Sequence, residues 1–161
     1  MTIANTFSES PEANPEVTAR QHWMSVLARA DLDALESYWQ NLTQKPSYRC
    51  LRKPEIGLAM VRGRAGGAGA PFNLGEVTVT RCVVELEAGA QGFGYVTGRS
   101  RRHAELAALF DGLMQQDSNQ HGPALIQPLY RQWLARREQV SRKAAATKVN
   151  FMTMVRGESG Q

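Results

Sequence analysis

Alternation governs the middle of this chain. Across residues 56–64, Ile56, Leu58, Met60, Arg62 and Arg64 fall on one side and Gly57, Ala59, Val61 and Gly63 on the other. Residues 91–99 repeat the scheme, with Phe93, Tyr95 and Thr97 opposite Gly92, Gly94, Val96 and Gly98. Between them, residues 76–86 set Val77, Val79 and Val83 against Cys82, Val84 and Leu86. A period of two is that of a strand, and β-branched residues favour it. A face of glycine, alanine and valine lets another backbone or a helix come close. The two small faces predict one antiparallel sheet that turns both to the same side, under a helix. Bulges or strand ends are the other use of such glycines. Residues 48–53 add a short strand candidate before Pro54, so about four strands are expected between residues 47 and 99. The run Ala65-Gly66-Gly67-Ala68-Gly69-Ala70-Pro71 cannot continue a regular element.

Helical spacing flanks this region on both sides. Val17, Trp23, Val26, Leu27, Ala30, Leu35, Tyr38, Trp39 and Leu42 recur every three or four residues, with a break near residues 30–33. Asp31 or Asp33 is placed to cap the second segment. Ser100 is a candidate N-cap for a central helix whose stripe is Ala104, Ala107, Phe110, Leu113 and Met114. After a loop at 117–122, a long helix from Pro123 to about Lys148 is expected. Its inner side would hold Ile126, Leu129, Tyr130, Trp133, Leu134, Arg137, Val140 and Ala144. The predicted class is α+β: a mostly antiparallel sheet packed by N-terminal, central and long C-terminal helices. Residues 1–15 read as a disordered lead-in, and 16–161 as one domain with an extended tail.

Length and composition bound the function. A chain of 161 residues suits one domain, which buries roughly 70% of its unfolded surface. A net charge of +4 suits phosphate-bearing ligands or acidic partners but is modest for a nucleic-acid binder, and no basic aromatic platform accompanies it. Cys50 and Cys82 stand far apart with no CxxC and no His at metal spacing, so they read as free buried thiols in a reducing cytosol. No metal site and no cofactor motif is expected. The first residues lack a basic, apolar leader, and no apolar run approaches the ~20 residues of a membrane span, so a cytoplasmic chain is expected.

Four groups of residues invite a role. Arg99, Arg101, Arg102 and His103 surround the start of the central helix, where unpaired N–H groups favour an anion. The same residues also suit a solvated cap whose arginines pair with glutamates such as Glu105. Arg62 and Arg64 precede the glycine run and are counted with Arg99, Arg101, Arg102 and His103 as candidate anion-binding residues. The run lacks the Lys-Ser/Thr of a P-loop and leads into a strand, not a helix, so it reads as a flexible loop or as a segment that orders on a ligand or a partner subunit. Arg81 interrupts an apolar strand and needs a charged partner: Glu85, Glu55 or another chain. Trp23 and Met24 near one end, and Phe151, Met152, Met154 and Arg156 near the other, form an expected partner interface, the other reading being a tail that folds back on its own core. GxSxG, HExxH, a paired-carboxylate motif and a Cys–His nucleophile arrangement are all missing, so no catalytic residue is assigned.

Taken in series, RQHWMSVLARA (20–30), RGRAGGAGAPFNLGEVTVTRCVV (62–84), GYVTGRSRRHAELAALFDGLMQQ (94–116) and NFMTMVRG (150–157) resemble the PhnG family, a subunit of the bacterial carbon–phosphorus lyase system. Ser100 stands where the family pattern leads us to expect Asp, and both cap a helix. The resemblance implies a core complex with PhnH-, PhnI- and PhnJ-like subunits, the PhnI-like one closest. With PhnL, that system exchanges the adenine of ATP for an alkylphosphonate at ribose C1. It further implies an accessory subunit of this multisubunit transferase, without catalytic residues of its own. The competing expectation is a free-standing small enzyme or binding protein that handles a phosphorylated small molecule through His103 and the arginines.

Overall fold

A computed structural model of the chain describes residues 14–147 apart from Ala68. Helix α1 (Pro15–Leu27) starts where the Asn14 side chain accepts a hydrogen bond from the Glu16 N–H at 3.0 Å, with Pro15 in the first turn. Helix α2 (Leu32–Asn41) follows after the break expected near residues 30–33. Strand β1 (Tyr48–Arg64) then pairs antiparallel with β2 (Pro71–Leu86), which pairs antiparallel with β3 (Gln91–Thr97). Helix α3 (Arg101–Gln116) crosses this sheet, and a short helix α4 (Ser118–His121) and a π-turn (Gly122–Ile126) lead into α5 (Gln127–Ala146).

The class is α+β with an antiparallel sheet, but among the described residues the sheet has three strands and not four. Residues 48–53 and 56–64 are one strand. Pro54 does not divide it, because β1 lies at the sheet edge and the ladder slips by a bulge between Arg52 and Glu55. The two small faces also lie on opposite sides. Gly57 is opposite Val79, which is opposite Thr97, and residues directly opposed share a face. Val96, Gly94 and Gly92 therefore point the other way, and only they lie under a helix.

Helix α3 is the centre of the core. Its small residues meet the glycines of β3 so closely that a Cβ on Gly94 would stand 1.9 Å from the Ala104 carbonyl oxygen, and one on Gly92 1.9 Å from that of Ala108. Its other side packs against α1 and α2, with Leu27, Leu35 and Phe110 almost wholly buried. The C-terminal helix does not continue the core as its spacing predicts: Leu129 is buried, whereas Leu134 is 41% and Val140 61% exposed. Only its first turns rest on the body, where Tyr130 stacks on Trp133 and Arg29 and Arg137 lie over the Trp133 ring.

Candidate functional site

The start of α3 is built as a junction of elements. Ser100 Oγ accepts from the His103 N–H at 3.2 Å, so Ser100 caps the helix as expected. Arg102 reaches back to α2, donating to both oxygens of Glu36 at 2.8 and 3.2 Å, and forward to Glu105 at 2.9 Å. Tyr48 on β1 donates to the other Glu105 oxygen at 2.9 Å. The hydrogen bonds from Arg102 hold the Glu36 carboxyl below the usual glutamate range, and the paired carboxylates push the Arg102 guanidinium further up. Burial, then the bond to Glu105, raises the Tyr48 phenol. His103 Nε2 lies 2.8 Å from the Leu27 carbonyl oxygen and so carries a proton that it donates there. Arg102 and His103 thus spend their donors inside the fold, while Arg99 and Arg101 are exposed and make no ion pair among the described residues.

The other arginines lie elsewhere. Arg62 is opposite Asn73 and Arg64 opposite Pro71, near the tip of the β1–β2 hairpin, and Arg64 donates to the Gly69 carbonyl at 3.1 Å. The Gly98 N–H donates to the Thr78 carbonyl, five residues of β2 away from Asn73, or about 17 Å at strand rise. The five arginines and His103 are therefore not gathered into one cradle. Arg81, which is exposed, finds the half-buried Glu55 at 2.6 Å; Glu55 also pairs with Arg52 at 2.8 Å. Hydrogen bonding by Arg81 is the main reason the Glu55 carboxyl sits low. Cys82 is buried, and burial pushes its thiol up to about 12, but Cys50 is exposed, contrary to the reading of two buried thiols.

Sequence reasoning missed the most densely bonded side chain. Asp111, fully buried, accepts from Arg20 at 2.7 and 3.2 Å, from Trp23 Nε1 at 2.8 Å, from the Phe93 N–H at 2.9 Å and from Gln115 at 3.3 Å. The signal was there: one acid inside the apolar run Leu109–Phe110–Asp111–Gly112–Leu113, and Arg20 three residues before Trp23 on one helix face. Trp23 is accordingly half-buried and packed on the chain's own core, while Met24 beside it is partly exposed. Phe151, Met152, Met154 and Arg156 lie outside the described residues.

Two further surfaces stand out. A hollow of about 650 Å³ lies between the 42–47 loop and the α3–α4 corner, with His121, Gln116, Gln120 and Lys45 on its walls. None of the four groups of residues offered a role from the sequence lines it. His121 is buried beside Tyr38, whose oxygen is 3.0 Å from Nδ1, and burial lowers its pKa. The second surface is the outer half of the β1–β2 hairpin, which extends past the end of β3 and carries Ile56, Leu58, Met60, Phe72, Leu74 and Val77 in the open. The sheet face away from α3 adds exposed Phe93 and Tyr95. The exposed apolar side chains lie on both faces, with Ile56, Leu58 and Met60 on the α3 side of the sheet and Val77, Phe93 and Tyr95 on the other, and exposed apolar surface of this extent marks an interaction site. Among the described residues there is no group of three or more His, Cys, Asp or Glu placed to hold a metal ion, and no helix long and apolar enough to cross a membrane.

Comparison with known proteins gives the surface its context. The family described as "Phosphonate metabolism protein PhnG" matches residues 18–157. A protein of Rhizobium meliloti (strain 1021), named alpha-D-ribose 1-methylphosphonate 5-triphosphate synthase subunit PhnG, is 44% identical over 146 residues, covering 88% of this chain and 92% of that protein. With the match running through both flanking helices, the sheet and the tail, this chain belongs to the PhnG family of phosphonate-metabolism proteins.

Proposed function

We propose that this chain is an accessory subunit of a complex that makes α-D-ribose 1-alkylphosphonate 5-triphosphate, in which alkylphosphonate replaces the adenine of ATP at ribose C1 during phosphonate catabolism. The 44% identical relative named as a subunit of the alpha-D-ribose 1-methylphosphonate 5-triphosphate synthase carries this reading. The exposed apolar hairpin supports it, because a two-stranded ribbon with apolar side chains in water is marginal unless something covers it. The partners are PhnH-, PhnI- and PhnJ-like subunits, the PhnI-like one closest, in the cytoplasm. Substrate is bound at the level of the complex, and no catalytic role falls to this chain alone. Arg62, Arg64, Arg99 and Arg101 complement an acidic partner surface; Met24 and the tail residues Phe151, Met152, Met154 and Arg156 add apolar contacts.

Co-expression with those three subunits, a tag on this chain and affinity purification test the reading. All four should elute together in fixed ratio, and Arg99→Ala with Arg101→Ala should weaken the assembly and phosphonate-dependent growth. A chain that elutes alone from the mixture and turns over a phosphorylated substrate unaided would replace this reading with that of a free-standing enzyme.

A further inference from the structure

The backbone of β1 has an open side that can be identified residue by residue. On β3, the Phe93 N–H donates to Asp111 and the Gln91 carbonyl accepts from Arg20 and Gln115, so these odd-numbered residues turn their polar groups away from β2. In an antiparallel pair, opposed residues either exchange both bonds or both turn away. Val83 and Arg81, opposite Phe93 and Tyr95, therefore direct their backbone to β1, as do Val79 and Val77 by the same alternation. Their partners Gly57 and Ala59 bond inward. Ile56, Leu58 and Met60 are left with N–H and C=O groups pointing out from the sheet edge, and their side chains are 43, 64 and 51% exposed.

The two edges of the sheet are treated differently. The first half of the β3 edge is blocked by side chains of α1 and α3, which take its backbone groups. The β1 edge has no such cover among the described residues, and a long apolar edge is a template for another strand. Its charges specify the occupant. Arg52 and Lys53 lie before the apolar stretch and Arg62 and Arg64 after it, while the nearby Glu55 is already paired with Arg52 and Arg81. A second copy fits poorly: antiparallel pairing centred on Leu58 would set Arg64 of one chain against Arg52 of the other, and opposed like charges destabilise a ladder.

We propose that the outer edge of β1 at residues 56–60 accepts an extended apolar segment, flanked by acidic residues, from another subunit of the complex as a fourth strand of the sheet. This rests on the subunit reading above and adds the mode of attachment: main-chain bonds supply affinity, and Ile56, Leu58 and Met60 select alternate apolar side chains.

Hydrogen exchange at single-residue resolution on the assembled complex tests it. All five amides from Ile56 to Met60 should be protected. An alternating pattern, with Gly57 and Ala59 slow but Ile56, Leu58 and Met60 fast, would overturn the added strand while leaving the subunit reading intact. A paired variant gives a second readout. Leu58→Pro removes an outward N–H without touching a bond to β2, so it should weaken assembly at least tenfold, whereas Leu58→Thr, which keeps the N–H, should retain most of it. Equal loss in both would assign the contact to the side chain and sink the proposal. Concentration-dependent pairing of this chain with itself through the same edge would also sink it, and failure of the wild-type chain to assemble at all would remove the subunit reading itself.

Discussion

Asp111 shows how one residue can tie three elements together. A carboxylate with no exposure is tolerated only because a guanidinium, an indole N–H and a main-chain N–H converge on it, linking α1, β3 and α3. Asp111→Ala strands those donors, and Arg20, itself one-third exposed, keeps partial access to water. The expected loss is about 3 kcal/mol, the lower end for a broken buried pair. Asp111→Asn should lose less, since it keeps the shape and one acceptor. Urea unfolding of both variants checks this; equal stability of Asp111→Ala and the parent chain would remove Asp111 from the frame. The same scale separates what could be read from what could not. That Arg81 needed a charged partner was legible, but the choice of Glu55 over Glu85 depended on the bulge at Arg52–Glu55, which no local pattern announces. Glu85 is instead held by Arg49.

At the level of elements, the contact of α3 with β3 is the tightest join in the fold. Gly94→Ala places a methyl against the Ala104 carbonyl at a separation no packing allows, so helix and strand must part. We expect a loss of about 3 kcal/mol, at the upper end of ordinary overpacking. Gly57→Ala is the control: its new Cβ would find only the Arg81 guanidinium, at 3.9 Å, and stability should change by under about 0.5 kcal/mol. A matched pair of denaturation curves distinguishes them, and equal effects would mean that the two small faces are not used differently. Both faces were legible as strand periodicity. Their placement on opposite sides of the sheet was not, because each strand's alternation is complete in itself and says nothing of the register between strands. For the same reason α5 reads as half-buried along its length although only its first turns find a neighbour.

For the whole molecule, acid should act in two steps. Burial depresses His121 below the ordinary histidine value of 6.5, so the unfolded chain binds the proton more readily than the folded one. The stability this contributes is full above pH 6.5 and falls as pH drops through the folded value. Asp31, Glu36, Glu55 and Glu85, lowered chiefly by hydrogen bonds from arginines, add a second loss below about pH 4.5. Thermal midpoints should be level near pH 7 to 8 and decline below 6.5, and His121→Gln should flatten the first decline but leave the second; an unchanged profile in that variant would acquit His121. From the sequence alone came the strand and helix periods, the Ser100 cap, the α+β class and the likeness to a phosphonate-metabolism family, since these depend on neighbours a few residues apart or on the order of motifs. The tertiary structure alone decided the three-stranded sheet, the burial of Asp111, the internal pairing of Arg102 and His103, and the open edge of β1. Each of these is set by which segments meet across long stretches of chain, and such meetings are governed by register, bulges and packing of the whole, not by any local run of residues.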